Sequence, residues 1–120
     1  MLPQIDDFLL QLQTNNYSPE TVYNYERDLR VFEQFLNQSS TPFEKVDKKI
    51  IAQYKAYLVS RDRLTAIKGE KGDEQLASRS VNRMLSALRS YLRYLIEMDS
   101  SVPVAPEVVK LTRMERKHPQ

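Results

Sequence analysis

Apolar residues recur along this chain with a helical period. Ile5, Phe8, Leu9 and Leu12 stand at the i, i+3, i+4, i+7 spacing of one helical face, which predicts a helix from about Pro3 to Thr14. "NNYSPET" then carries start signals for a second helix: Ser18 as N-cap, Pro19 at the first helical position and Glu20 in the first turn. That helix runs to about Leu36 or Asn37. Val22, Tyr25, Leu29, Phe32 and Leu36 form its buried stripe, Val31 and Phe35 widen it, and Asn24, Arg27, Arg30 and Gln34 face away. "NQSSTPF" reads as a loop. Asp47 caps a third helix, about Lys48 to Arg61, with Ile50, Ile51, Tyr54, Tyr57 and Leu58 inward.

The connector from Asp62 to Gln75 holds both glycines, Gly69 and Gly72, and a dense mixture of charges. It reads as a long, exposed, mobile loop, beyond the roughly two to eight residues common between helices of a bundle. Ser78 is the expected cap of a fourth helix of about 20 residues, or about 30 Å. The tail contains Pro103, Pro106 and Pro119 and reads mainly as a linker, with a short helix from Glu107 to Arg113 as an option. These elements predict an all-α, four-helix bundle over 1–102 and a C-terminal linker over 103–120.

The fourth helix divides into two faces. At 100° per residue, Val81, Met84, Leu85, Leu88, Leu92, Leu95 and Ile96 gather on one side. Arg79, Asn82, Arg83, Ser86, Ser90 and Arg93 gather on the other, and Arg89 lies on the flank. No acid interrupts the run from Arg79 until Glu97. An exposed helix usually mixes opposite charges at i, i+4, because like charges there repel; Arg79 and Arg83 are such a like-charged pair. Arginine can hold a phosphate or the guanine edge with two parallel hydrogen bonds, and asparagine can do the same for adenine. The face therefore fits nucleic acid, and charge alone fits a solvated surface equally well. The start of the second helix adds Ser18, Thr21 and Asn24, where free backbone N–H groups favour a phosphate. Its acids, Glu20, Glu26, Asp28 and Glu33, count against it, and a plain helix cap explains Ser18 and Thr21 as well.

Composition narrows the chemistry. The chain has 120 residues, one domain's worth, with net charge +2, so total charge does not argue for nucleic acid and only the distribution of charge bears on it. With no cysteine and the single histidine, His118, near the end, disulfides, thiolate metal sites and a histidine-based centre are excluded. No cofactor or metal is expected. No apolar run approaches a membrane span, and the acidic N-terminus is unlike a signal peptide, so the expected setting is the cytoplasm. The seven tyrosines sit mostly at helical spacing beside apolar residues and read as packing groups rather than nucleophiles.

Two segments together, "YSPETVYNYERDLRVFEQFL" and "LASRSVNRMLSALRSYLRYLIE", resemble the N-terminal core-binding domain of the tyrosine recombinase and phage integrase family, Xer-like members above all. The first carries Ser18, Thr21, Tyr25 and Phe32. The second carries Ser80, Arg83, "LSALR" and Tyr91 and Tyr94 with Leu95. The match spans roughly Ile5 to Glu97. The resemblance implies a SAM-like orthogonal bundle forming half of a DNA clamp, with the second and fourth helices against the major groove and a catalytic domain on the opposite face. Carried over by position, Ser18, Thr21, Asn24, Arg79, Ser80, Arg83 and Ser86 become the DNA-facing set, joined by Asn82, Arg27, Arg89 and Arg93. It also implies contacts with other protomers on DNA, while the fragment alone is expected to be a monomer.

Two departures stand out: the long Asp62 to Gln75 connector, and the absence of any match to the family's catalytic constellation. The expectation is thus a DNA-binding chain that is inert by itself. The alternative is a helical adaptor whose basic face meets an acidic protein. A helix-turn-helix reading is weaker, because the connector before the fourth helix is far longer than the usual turn.

Overall fold

The computed structural model describes residues 2–69 and 74–111; the side chains of 61–78 lie outside the description. Among the described residues four α-helices follow one another: α1 Ile5–Thr14, α2 Pro19–Gln38, α3 Lys48–Gly69 and α4 Glu74–Glu97. Short 3-10 turns lie at Phe43–Lys45 and Pro106–Val108. Among the described residues there is no strand, as an all-α bundle requires.

The expected starts hold where a side chain makes the cap. The Thr21 amide donates to Ser18 Oγ at 3.1 Å, and the Ile50 amide donates to Asp47 Oδ1 at 2.9 Å. The helix ends show how a glycine-poor chain stops. Asn16, Ser40 and Asp99 each take a left-handed φ, at 66°, 53° and 60°, directly after the cap residues of α1, α2 and α4. The next amides, of Tyr17, Thr41 and Ser100, bond back to Leu12, Leu36 and Leu95 carbonyls in Schellman fashion. Asparagine and aspartate tolerate that conformation better than most residues, which suits the ends of α1 and α4; α2 uses Ser40, and none of the three ends uses a glycine.

The connector differs from expectation. α3 continues to Gly69 and α4 begins at Glu74, so most of the stretch from Asp62 to Gln75 is helical and only 70–73 stands between the two helices. The physical reason is composition: "RDRLTAIK" contains good helix formers and no proline, and charge density by itself does not break a helix. Ser78 accordingly lies inside α4 rather than at its cap.

α4 is the central element, packed against α1, α2, α3 and the Pro106–Val108 turn. It therefore buries more than one stripe. Ala87, Tyr91 and Tyr94 join Val81, Met84, Leu85, Leu88, Leu92 and Leu95 in the core, whereas Ile96, expected inward, is 46% exposed in the last turn. The tyrosines fill space between helices. Tyr91 and Tyr94 meet Phe8 of α1 at 5.7 and 5.4 Å between ring centroids, and Tyr54 of α3 meets Phe32 of α2 at 4.8 Å. Both ends of the domain converge on α4. The Tyr91 hydroxyl donates to the Pro3 carbonyl, Gln4 Nε2 donates to Ser100 Oγ, and Val109 is fully buried.

Candidate nucleic-acid interface

The outer stripe of α4 follows directly from its helical spacing. Arg79, Arg83, Ser86, Ser90 and Arg93 fall within one side of the helix, with Asn82 beside them. Arg79 and Arg93 are exposed, and among the described residues neither carries an ion pair. Ser86 and Ser90 are half-buried between them. Ser80, placed in the site by resemblance, lies roughly a quarter turn off the stripe and is half-buried. Asn82 is half-buried and engaged in an interaction within the protein.

The two arginines at the margins of the stripe are committed. On one side, Arg83 reaches α2 and grips Asp28 side-on: Nε donates to Oδ2 and Nη2 to Oδ1, each at 3.0 Å. The Asp28 side chain is 2% exposed and that of Arg83 is 44% exposed. On the other side, Arg89 donates both Nε and Nη2 to the Val109 carbonyl, at 3.1 and 2.7 Å. Arg89 thus ties the segment that follows α4, with its buried Val109, back onto the helix.

On α2, Ser18 and Thr21 face each other. The Ser18 hydroxyl accepts from the Thr21 amide and donates to Thr21 Oγ1 at 2.9 Å, so their first task is to start the helix. Thr21 and Asn24 stand seven and four residues before Asp28, on the same line of the helix, and the Asp28–Arg83 contact draws that line against the α4 stripe. Arg27 lies away from the line, with its guanidinium 5.7 Å from the Tyr23 ring. Arg30 is neutralised by Glu26 one turn earlier, at 2.7 Å, and that hydrogen bond raises the Arg30 pKa. The outward side of α2 therefore supplies little net positive charge.

Asp28 is the residue that pattern reading passes over as one more surface acid. A signal for it exists: it precedes Val31, Phe32 and Phe35 by three, four and seven residues, which places it within the widened apolar face. A carboxylate there needs a cation, and arginine is the residue suited to a bidentate grip.

Exposed Arg79 and Arg93 give the outer side of α4 a cationic character that attracts anions. Among the described residues there is no group of three or more His, Cys, Asp or Glu side chains able to hold a metal, and no helix is long and apolar enough to cross a membrane.

Residues 5–98 match the family described as phage integrase, N-terminal SAM-like domain. The chain is 34% identical over 94 residues to a tyrosine recombinase XerC of Halalkalibacterium halodurans, covering 77% of this chain and 27% of that protein. It is 35% identical over 106 residues to a tyrosine recombinase XerC of Lacticaseibacillus casei, covering 87% and 31%. With a protein of the same name from Pelobacter propionicus it shares 30% identity over 123 residues, covering 99% and 36%. No solved structure gives a significant match. The chain spans only about a third of the length of these relatives, as an N-terminal domain does. With four helices and no strand among its described residues, and matched over 5–98, the chain belongs to the family of phage integrase N-terminal SAM-like domains.

Proposed function

We propose that this chain is the DNA-gripping domain of a site-specific tyrosine recombinase, holding duplex DNA beside the strand-exchange site while a separate catalytic domain cuts and rejoins strands. Its partners are double-stranded DNA and, in the full-length protein, other protomers on the same DNA; its setting is the cytoplasm. The observation that carries this reading is the α4 stripe, on which Arg79 and Arg93 project from a helix that has no acid between Arg79 and Ile96. A basic stripe of this length follows the phosphate lining of a major groove, and the nearby start of α2 adds the Thr21 hydroxyl and the Asn24 side-chain amide as donors. Half a clamp gives modest, salt-dependent affinity, on the order of micromolar or weaker without sequence preference.

The test is titration of the 15N-labelled chain with a short mixed-sequence duplex at low salt. Amide shifts should concentrate in 79–93 and around Thr21 and Asn24. The paired variant Arg79→Ala/Arg93→Ala should keep its fold while losing about 2 in the slope of log affinity against log salt. Unmoved α4 resonances at saturating duplex would overturn the reading.

A further inference from the structure

We infer that Asp28 is a positioning residue for DNA: its buried carboxylate holds Arg83 so that the outer edge of the guanidinium is presented to a backbone phosphate at the seam between α2 and α4. This rests on the DNA-binding reading above and names a residue that the basic face does not include.

The geometry divides the guanidinium into two edges. Asp28 takes the Nε and Nη2 hydrogens of the inner edge, at 3.0 Å each. An arginine has five N–H groups in a rigid fork, so the Nη1 pair and the second Nη2 hydrogen remain on the outer edge. Among the described residues no other hydrogen bond of Arg83 is seen. Burial has the same polarity. Asp28 is 2% exposed and Arg83 44% exposed, so an anion approaching the seam meets the cation and is shielded from the carboxylate behind it.

Stability alone is a weak reason to keep such a pair. Desolvating two charges offsets most of their attraction, and well-packed apolar residues often do as well. Net charge is no reason either, since the pair sums to zero. What a buried carboxylate adds is direction: it removes the rotamer freedom of a long side chain before the ligand arrives, so binding need not remove it. The position is apt, because Thr21 and Asn24 lie on the same line of α2 and Arg79 and Ser86 on the same stripe of α4. Asp28–Arg83 is where those two lines meet.

The discriminating variant is Asp28→Asn, measured as the full 120-residue chain by fluorescence anisotropy with a mixed-sequence duplex across a salt series. It removes a negative charge, so electrostatics alone predicts tighter binding. Positioning predicts binding weaker by about threefold or more, a salt slope shallower by about 1, and the same loss on unrelated sequences. Equal or tighter binding by Asp28→Asn, with the parent binding normally, overturns the inference and leaves the DNA reading standing. A parent chain that does not bind duplex at low salt removes the DNA reading and this inference with it. Should Asp28→Asn fail to fold, the unaltered chain decides by NMR of the Arg83 guanidinium. The Nε–H should stay protected from exchange on adding duplex while the Nη1 signals shift; loss of Nε–H protection would mean that DNA strips Arg83 from Asp28, which overturns the inference.

Discussion

Arg83 and Arg89 leave the same helix and use the same two nitrogens, yet they close opposite sides of α4 by different physics. Arg83 meets a buried carboxylate on α2, so a full charge sits on each side of the contact. Arg89 meets the main-chain carbonyl of Val109, a neutral acceptor on the segment that follows α4. A neutral carbonyl without its donor loses a hydrogen bond. A buried carboxylate without its cation is left as an uncompensated charge, a much larger penalty. The first seam joins the two helices proposed to touch DNA, and the second ties the segment after α4 to the core. Two arginines that look alike in sequence therefore differ in what their removal would do.

The largest effect should come from Arg83→Met, a loss of about 3 kcal/mol in urea unfolding, because Asp28 stays buried and unpaired. Replacing both partners, as Asp28→Leu/Arg83→Met, should recover most of that loss; a double variant as unstable as the single would show that the charge pair is not the cause. Arg89→Met should cost less, about 1.5 kcal/mol, with faster amide exchange confined to the segment around Val109. Equal costs for Arg83→Met and Arg89→Met would remove the distinction drawn here.

A third contact from α4 extends the series to two neutral partners: the Tyr91 hydroxyl donating to the Pro3 carbonyl. Tyr91→Phe should cost only about 1 kcal/mol near neutral pH. Its signature is alkaline. Burial, helped by the charge of Glu33, raises the Tyr91 pKa above the usual tyrosine value. Above about pH 10 the unfolded chain releases that proton while the folded one keeps it, so stability falls as pH rises. Tyr91→Phe lacks this contribution and should show a shallower decline between pH 10 and 11. Parallel pH curves for parent and variant would count against a buried, protonated Tyr91.

Much of the fold is legible along the chain because it depends on neighbours in sequence. Ser18 and Asp47 cap through residues three positions on, and the stripe of α2 follows from its period. The stretch from Asp62 to Gln75 misleads because glycine and mixed charge mark loops on average, whereas its other residues favour helix. In the candidate interface, helical spacing identifies the exposed positions of Arg79 and Arg93. It does not distinguish them from Arg83 and Arg89, whose acceptors lie 55 and 20 residues away.

Local patterning along the chain specifies an all-α fold, the starts of α2 and α3, the apolar faces and the unbroken basic stripe of α4, since each is a property of residues within a few turns of one another. Packing between elements set how much of each guanidinium is left for a ligand: Arg79 and Arg93 carry no ion pair among the described residues, whereas Arg83 keeps only its outer edge. It also turned Asp28 from an apparent surface acid into the buried centre of the α2–α4 seam. Burial of a carboxylate depends on helices folding over it, and no spacing along one helix can supply that cover.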